Sequence, residues 1–234
     1  MSQFIKAVLF DLDGTLIDTA ADFVRIIKRM SAQHGWQAPS ESAIREQVSA
    51  GASAMVKLIL AHNNQPIDEA IIQEYRQQFL DEYEADICVD SQVFPELDGV
   101  LTRLETSGTP WGIVTNKPRY LAEKLLRALT LDERCAVLVC PDDVRYTKPD
   151  PEPMYLAMEK LGLPRGIAGT VIYVGDHLRD IEAGNAAGMI TVLASYGYIS
   201  AKEQASLNTW QAAHIVETPK ALAKLLQSKQ FEYL

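Results

Sequence analysis

Five short, almost wholly apolar runs punctuate the chain: FIKAVLF (4–10), WGIVT (111–115), CAVLVC (135–140), TVIYVGD (170–176) and MITVL (189–193). Runs this short and this continuous suit strands buried on both faces, the environment of a parallel sheet. Between them lie helical patterns at 95–107, 118–129, 151–162 and 178–187, with Pro118, Asp150 and Pro151 as helix-start signals. Strand–helix alternation of this kind predicts a doubly wound, Rossmann-like α/β core with a parallel sheet. A last strand-like stretch, HIVE (214–217), and a helix over 219–228 close it.

One interval breaks the alternation. From Thr19 to about Asp86 the pattern is helical throughout, in AADFVRIIKRMSAQHG, SESAIREQV, ASAMVKLILAHN and PIDEAIIQEYRQQFLDEYEAD. Several helices without a strand cannot be a simple crossover, so they predict an all-helical cap inserted after the first strand. The expected division is a core of 1–15 and 92–234 and a cap of 16–91. Two linkers, near Leu16–Thr19 and Cys88–Pro95, join them, and hinge-like opening over a site at the strand ends follows.

The bulk properties narrow the partners. A composition of 47% hydrophobic residues is enough for a proper core, and a net charge of −9 argues against a nucleic-acid groove. Screening beyond roughly 8 Å still leaves room for a small anion where a metal and one or two lysines dominate locally. No apolar stretch is long enough to cross a bilayer, and MSQFIKAVLF lacks the layout of a signal peptide, so no membrane partner is expected. Cys88, Cys135 and Cys140 form no CxxC pair, which fits a reduced cytoplasm without structural disulfide or zinc. A monomer acting on a small molecule is the expected state.

In a doubly wound sheet, ligands bind at the carboxyl ends of the strands. After the first strand come Asp11 and Asp13, two acids that share a side if the strand continues through them. They would repel unless a cation or a proton sits between them. After the second come Thr115, Asn116 and Lys117; after the third the chain runs to Lys148; after the fourth come Asp176 and, one helical turn on, Asp180. Each alone is ordinary: an Asp after a strand is commonly a turn or capping residue, and a loop lysine is commonly solvated. Together, at successive strand ends, they are an inventory for Mg²⁺ and a phosphate.

In that order, DLDGT (11–15), VTN (114–116), KPD (148–150) and GDHLRD (175–180) resemble the four motifs of the haloacid dehalogenase superfamily of phosphatases. Within it, VSAGASAMV, WGIVTNKP, CPDDV, KPDPEP, LRDIEAG and YGYI are similar to the bacterial N-acetylmuramic acid 6-phosphate phosphatases, near relatives of phosphoglycolate phosphatases. The resemblance implies that Asp11 is a nucleophile forming an aspartyl-phosphate and Asp13 its acid–base partner. It implies Mg²⁺ held by Asp11, the Asp13 backbone carbonyl and Asp176, with Asp180 behind them. It further implies that Thr115, the Asn116 N–H and Lys148 bind the phosphoryl oxygens. His177 stands where these relatives carry Asp or Ser, which implies weaker Mg²⁺ binding or a pH effect, unless it merely starts a helix.

Other chemistries fit less well. Dehalogenation needs no acid at position 13, a mutase needs a specific acid–base pair from the cap, and a non-catalytic sugar-phosphate sensor could dispense with Asp11 or Asp13. The expected substrate is N-acetylmuramic acid 6-phosphate, with 2-phosphoglycolate or another small sugar phosphate as the alternative. Selection then falls to the cap stretch 44–59, where Gly51 and Ala52 suggest a turn with little bulk and Arg45 and Lys57 are candidate carboxylate partners.

Overall fold

The computed structural model describes residues 3–228 and 231–233. Its strands are β1 (Gln3–Phe4), β2 (Ala7–Phe10), β3 (Ile17–Asp18), β4 (Gln92–Val93), β5 (Trp111–Val114), β6 (Val137–Val139), β7 (Val171–Gly175), β8 (Ile190–Ala194), β9 (His214–Val216) and β10 (Phe231–Glu232). Its helices are α1 (Ala20–Gln33), α2 (Glu41–Arg45), α3 (Ala52–His62), α4 (Glu69–Ala85), α5 (Leu97–Thr106), α6 (Arg119–Ala128), α7 (Glu152–Lys160), α8 (Leu178–Ala187), α9 (Ala201–Gln204) and α10 (Pro219–Leu226).

Six strands pair in the order β6-β5-β2-β7-β8-β9, all parallel. Alternate side chains serve opposite faces. Val8, Phe10, Trp111, Ile113, Ile172 and Val174 pack with α5, α6 and α10 on one side. Ala7, Leu9, Val114, Val171 and Tyr173 pack with α7 and α8 on the other. The expected first strand, 4–10, is split: Gln3–Phe4 pairs with β10 instead, so only Ala7–Phe10 enters the main sheet. The chain moves from β2 through the insert to β5 and β6 at one edge, then returns to β7, β8 and β9 on the other side. β2 therefore lies at the topological switch point, where its carboxyl end opens a crevice.

The four helices α1–α4 form the insert. In α1, Ala20, Phe23, Val24, Ile27 and Met30 recur at three- and four-residue spacing and are buried. Phe79 and Tyr83 of α4 meet Phe23 edge-on, at centroid distances of 5.3 and 4.8 Å. These rings are fully or nearly fully buried, and such side chains each contribute about 1.5–3 kcal/mol by leaving water. Asp68 caps α4 by accepting from the Ile71 N–H, and Ser40 caps α2 in the same way through Ala43.

The insert joins the rest of the chain at a narrow neck. β3 and β4 pair antiparallel, Ile17 opposite Val93 and Asp18 opposite Gln92. Buried Asp22 accepts from the Asp90 and Ser91 N–H groups, tying α1 to the outgoing segment. Tyr198, from the loop after β8, accepts through its hydroxyl from the Thr19 and Ala20 N–H groups at 2.8 and 3.0 Å and donates to Asp18. Among the described residues no helix is long and apolar enough to cross a membrane, and the three cysteines are free.

Candidate active site

β2 ends at Phe10, so Asp11 and Asp13 do not share one strand face as expected. The chain turns at once, because Gly14 has φ +78, and Asp13 makes an isolated bridge with Ile17. A Cβ on Gly14 would lie 2.2 Å from an Asp176 carboxylate oxygen, so both conformation and space require glycine there. Each acid has its own lysine. Asp11 accepts from Lys148 Nζ at 2.8 Å, and Asp13 from Lys117 Nζ at 3.0 Å and from the Thr19 hydroxyl at 2.7 Å. The mutual repulsion expected of the pair is relieved by two ammonium groups.

Lys148 is wholly buried and has four partners. Its Nζ donates to Asp11, the Val114 carbonyl and the Tyr173 hydroxyl, and lies 2.7 Å from Asp180 Oδ1. Asn116 fixes the backbone on which it stands by donating to the Lys148 carbonyl at 3.1 Å. The Asn116 N–H makes no hydrogen bond among the described residues. The Thr115 hydroxyl accepts from the Lys117 N–H and faces the same cavity. The four expected strand ends thus meet at one point.

Asp11, Asp176 and Asp180 are buried, and a carboxylate oxygen from each lies within 4.8 Å of the others. Burial pushes the Asp11 carboxyl up, an effect that Lys148 partly offsets. Asp176 is pushed up to about 8, by burial first and then by the charges of Asp11 and Asp180. Burial acts on Asp180 in the same direction, but Lys148 and Arg179 hold it below the usual carboxylate range. Asp176 Oδ2 accepts from the Ser49 hydroxyl at 2.5 Å and from the Tyr198 N–H at 2.9 Å, whereas its Oδ1 is buried without a partner. Hard oxygen donors in excess of their counter-charges, one of them orphaned, fit a divalent cation. Asp180 belongs to this group by distance, and it spends its oxygens on Lys148, Tyr173 and the His177 N–H.

The roof comes from the insert. A cavity of about 220 Å³ lies between the strand ends and residues 48–53, Arg76, Phe79, Leu80 and Tyr83. This is small for a ligand site, typically ~300–1,000 Å³, and suits a metabolite rather than a polymer. Gly51 and Ala52 line it as expected, and Gly51 starts α3 with φ +89. Arg45 does not line it. α2 ends at Arg45, three residues before the roof, and leaves its guanidinium 3.7 Å from Asp18 and over the Tyr198 ring. Lys57 is exposed on α3 and also lies outside the cavity. His177 caps α8, its Nδ1 accepting from the Arg179 N–H at 3.2 Å.

Four residues of the site were missed. Lys117 was visible in VTNKP but given no role; it is buried beneath Tyr83 and Phe23, 4.4 and 4.9 Å from their ring centroids. Ser49 and Arg179 link roof to floor, since Arg179 also donates to the Ser49 carbonyl. Arg76 lies on a helix with no motif to mark it. Ser49 and Arg179 stand in the quoted stretches VSAGASAMV and GDHLRD, but the role of all three depends on how insert and core meet, which no local pattern shows.

Residues 8–194 match the family described as haloacid dehalogenase-like hydrolase. The chain is 42% identical over 222 residues to N-acetylmuramic acid 6-phosphate phosphatase of Pseudomonas aeruginosa, covering 95% of each. It is 40% identical over 220 residues to a phosphoglycolate phosphatase of Xanthomonas campestris pv. campestris, covering 94% of this chain and 96% of the relative. The crystal structure of a predicted phosphoglycolate phosphatase from Haemophilus somnus superposes with a TM-score of 0.80 at 24% identity, over 95% of this chain and 97% of that one, and so shares the fold. With the motifs gathered at one buried point, the match spans both the scaffold and the site it carries: the chain belongs to the haloacid dehalogenase-like hydrolases, among their phosphatases.

Proposed function

We propose that this chain is a Mg²⁺-dependent phosphomonoesterase that hydrolyses N-acetylmuramic acid 6-phosphate to N-acetylmuramic acid and phosphate, a reaction of peptidoglycan recycling. The observation that carries the reading is Asp11: buried at the switch point, 2.8 Å from Lys148, and grouped with Asp176 and Asp180. A carboxylate oxygen of Asp11 attacks phosphorus, and the bond to the sugar oxygen breaks while Asp13 gives that oxygen a proton. Water then attacks the phosphorus of the aspartyl-phosphate, Asp13 takes its proton, and phosphate leaves with Asp11 restored. Thr19 and Lys117 hold Asp13 in place throughout.

The Thr115 hydroxyl, the Asn116 N–H and Lys148 bind the phosphoryl oxygens, where transition-state charge gathers. Asp11, the Asp13 backbone carbonyl and Asp176 would hold Mg²⁺, with Asp180 behind them. When bound, the ion offsets the negative charge of phosphate and nucleophile.

The sugar phosphate is supported by the 42% identity to the Pseudomonas aeruginosa enzyme. The 40% identity to the Xanthomonas campestris enzyme favours 2-phosphoglycolate. Steady-state kinetics on both compounds, with Mg²⁺ and with EDTA, decides between them. The expected result is a kcat/KM at least tenfold higher for the sugar phosphate, about 1.4 kcal/mol of differential transition-state binding, and no turnover in EDTA. A preference for phosphoglycolate overturns the substrate and leaves the chemistry; full turnover in EDTA overturns the metal.

A further inference from the structure

The strand-end half of the site engages only the phosphate, so the choice between phosphate esters falls to side chains across the cavity. One of these differs from the rest in its bonding. Arg76 lines the cavity, half-buried, and forms neither an ion pair nor a hydrogen bond among the described residues. Its own helix gives it no acid, because the positions three and four residues away are Ile72, Gln73, Phe79 and Leu80. Of the other cations at the cavity, Lys117 is paired with Asp13 at 3.0 Å, and Arg179 donates to the Ser49 carbonyl while its buried Nε has no partner among the described residues. The two acids of the lining, Asp11 and Asp13, are likewise held by Lys148 and Lys117.

An arginine set among apolar walls with no acid of its own keeps its planar fork of donors available to a ligand, and that fork matches a carboxylate bidentately. We propose that Arg76 binds a carboxylate on the substrate, remote from the phosphate, and thereby selects phosphomonoesters that carry both groups. This rests on the phosphatase reading above and names the class of ester that the enzyme takes. Ser53, whose hydroxyl also has no partner among the described residues, lines the same cavity and is placed to give a second hydrogen bond. Phe79 and Leu80 offer the carbon frame of the ligand an apolar wall.

The test compares kcat/KM within two substrate pairs, for wild type, Arg76→Ala and Arg76→Lys. N-acetylmuramic acid 6-phosphate differs from N-acetylglucosamine 6-phosphate by the lactyl ether on O3 that carries its carboxylate. The pair 4-carboxyphenyl phosphate and phenyl phosphate poses the same contrast without the sugar, and any leaving-group difference cancels between variants. Wild type should prefer the carboxylate-bearing member of each pair. Arg76→Ala should lower that preference at least tenfold, mainly through KM, and Arg76→Lys should restore part of it. A preference unchanged in Arg76→Ala, or an equal loss on both members, overturns the proposal. If wild type hydrolyses the aryl esters but neither sugar phosphate, the substrate reading falls instead, and the aryl pair alone decides the role of Arg76.

Discussion

The floor and the roof of the cavity are built in opposite ways. On the floor the charged groups are tied into one network: Lys148 alone touches two carboxylates, a carbonyl and a phenol. The roof offers small residues, apolar side chains, one serine bonded to the floor and an arginine bonded to nothing described. A densely bonded floor fixes its groups before substrate arrives, which is what charge stabilisation at one phosphorus atom needs. A sparsely bonded roof can differ in its side chains without disturbing that arrangement. In the reading proposed above, reaction and selection fall to separate pieces of chain.

The contrast can be broken most directly on the floor. Asp11→Asn keeps the shape of the side chain but cannot form an acyl phosphate, so kcat should fall by roughly four orders of magnitude or more, while circular dichroism shows an intact fold. Turnover near that of wild type would remove the nucleophile and with it the division of labour. Asp13→Asn sharpens the same point. Loss of the proton donor should cost roughly 10²–10⁴-fold on a sugar phosphate and clearly less on p-nitrophenyl phosphate, whose leaving group needs no proton. Equal losses on the two esters would argue that Asp13 only holds structure. The smallest effect belongs to the link between the halves. Ser49→Ala deletes the 2.5 Å bond to Asp176, and activity should fall by no more than roughly a hundredfold, since one hydrogen bond to a charged group is worth ~1.5–3 kcal/mol at most. Amide exchange over residues 52–56 should speed up in that variant, and unchanged exchange would show that Ser49 does not hold the roof down.

The floor was readable from sequence because its pieces are local. Three of the apolar runs end where a motif begins, so finding the strands placed Asp11, Thr115, Asn116 and Asp176 at a common edge, whereas Lys148 follows its strand at a distance. Strand lengths were less readable: 4–10 is continuous in hydrophobicity, but the chain changes pairing partner within it, from β10 to β5 and β7. Sheet order was not readable at all, since it depends on contacts between distant segments. The roof failed for the same reason. Gly51 and Ala52 announced themselves as a turn, whereas Arg45 looked as plausible a cavity residue as Arg76. Only the packing of α2 against Asp18 and Tyr198, and of α4 over the strand ends, separates the two. His177, for which the sequence leaves open a change at the metal site or a helix start, is the cap of α8.

The two rungs between β3 and β4 have a bearing on how such a molecule can change over generations. They close the insert into a loop whose ends are hydrogen-bonded neighbours, whatever lies between them. The entropy of closing a flexible loop grows only with the logarithm of its length, about 0.6 kcal/mol for each doubling. Lengthening, shortening or replacing the helices beyond that base therefore costs the sheet almost nothing. A gene can exchange the insert and keep the sheet untouched, and in the reading proposed above that changes the choice of ester without its cleavage.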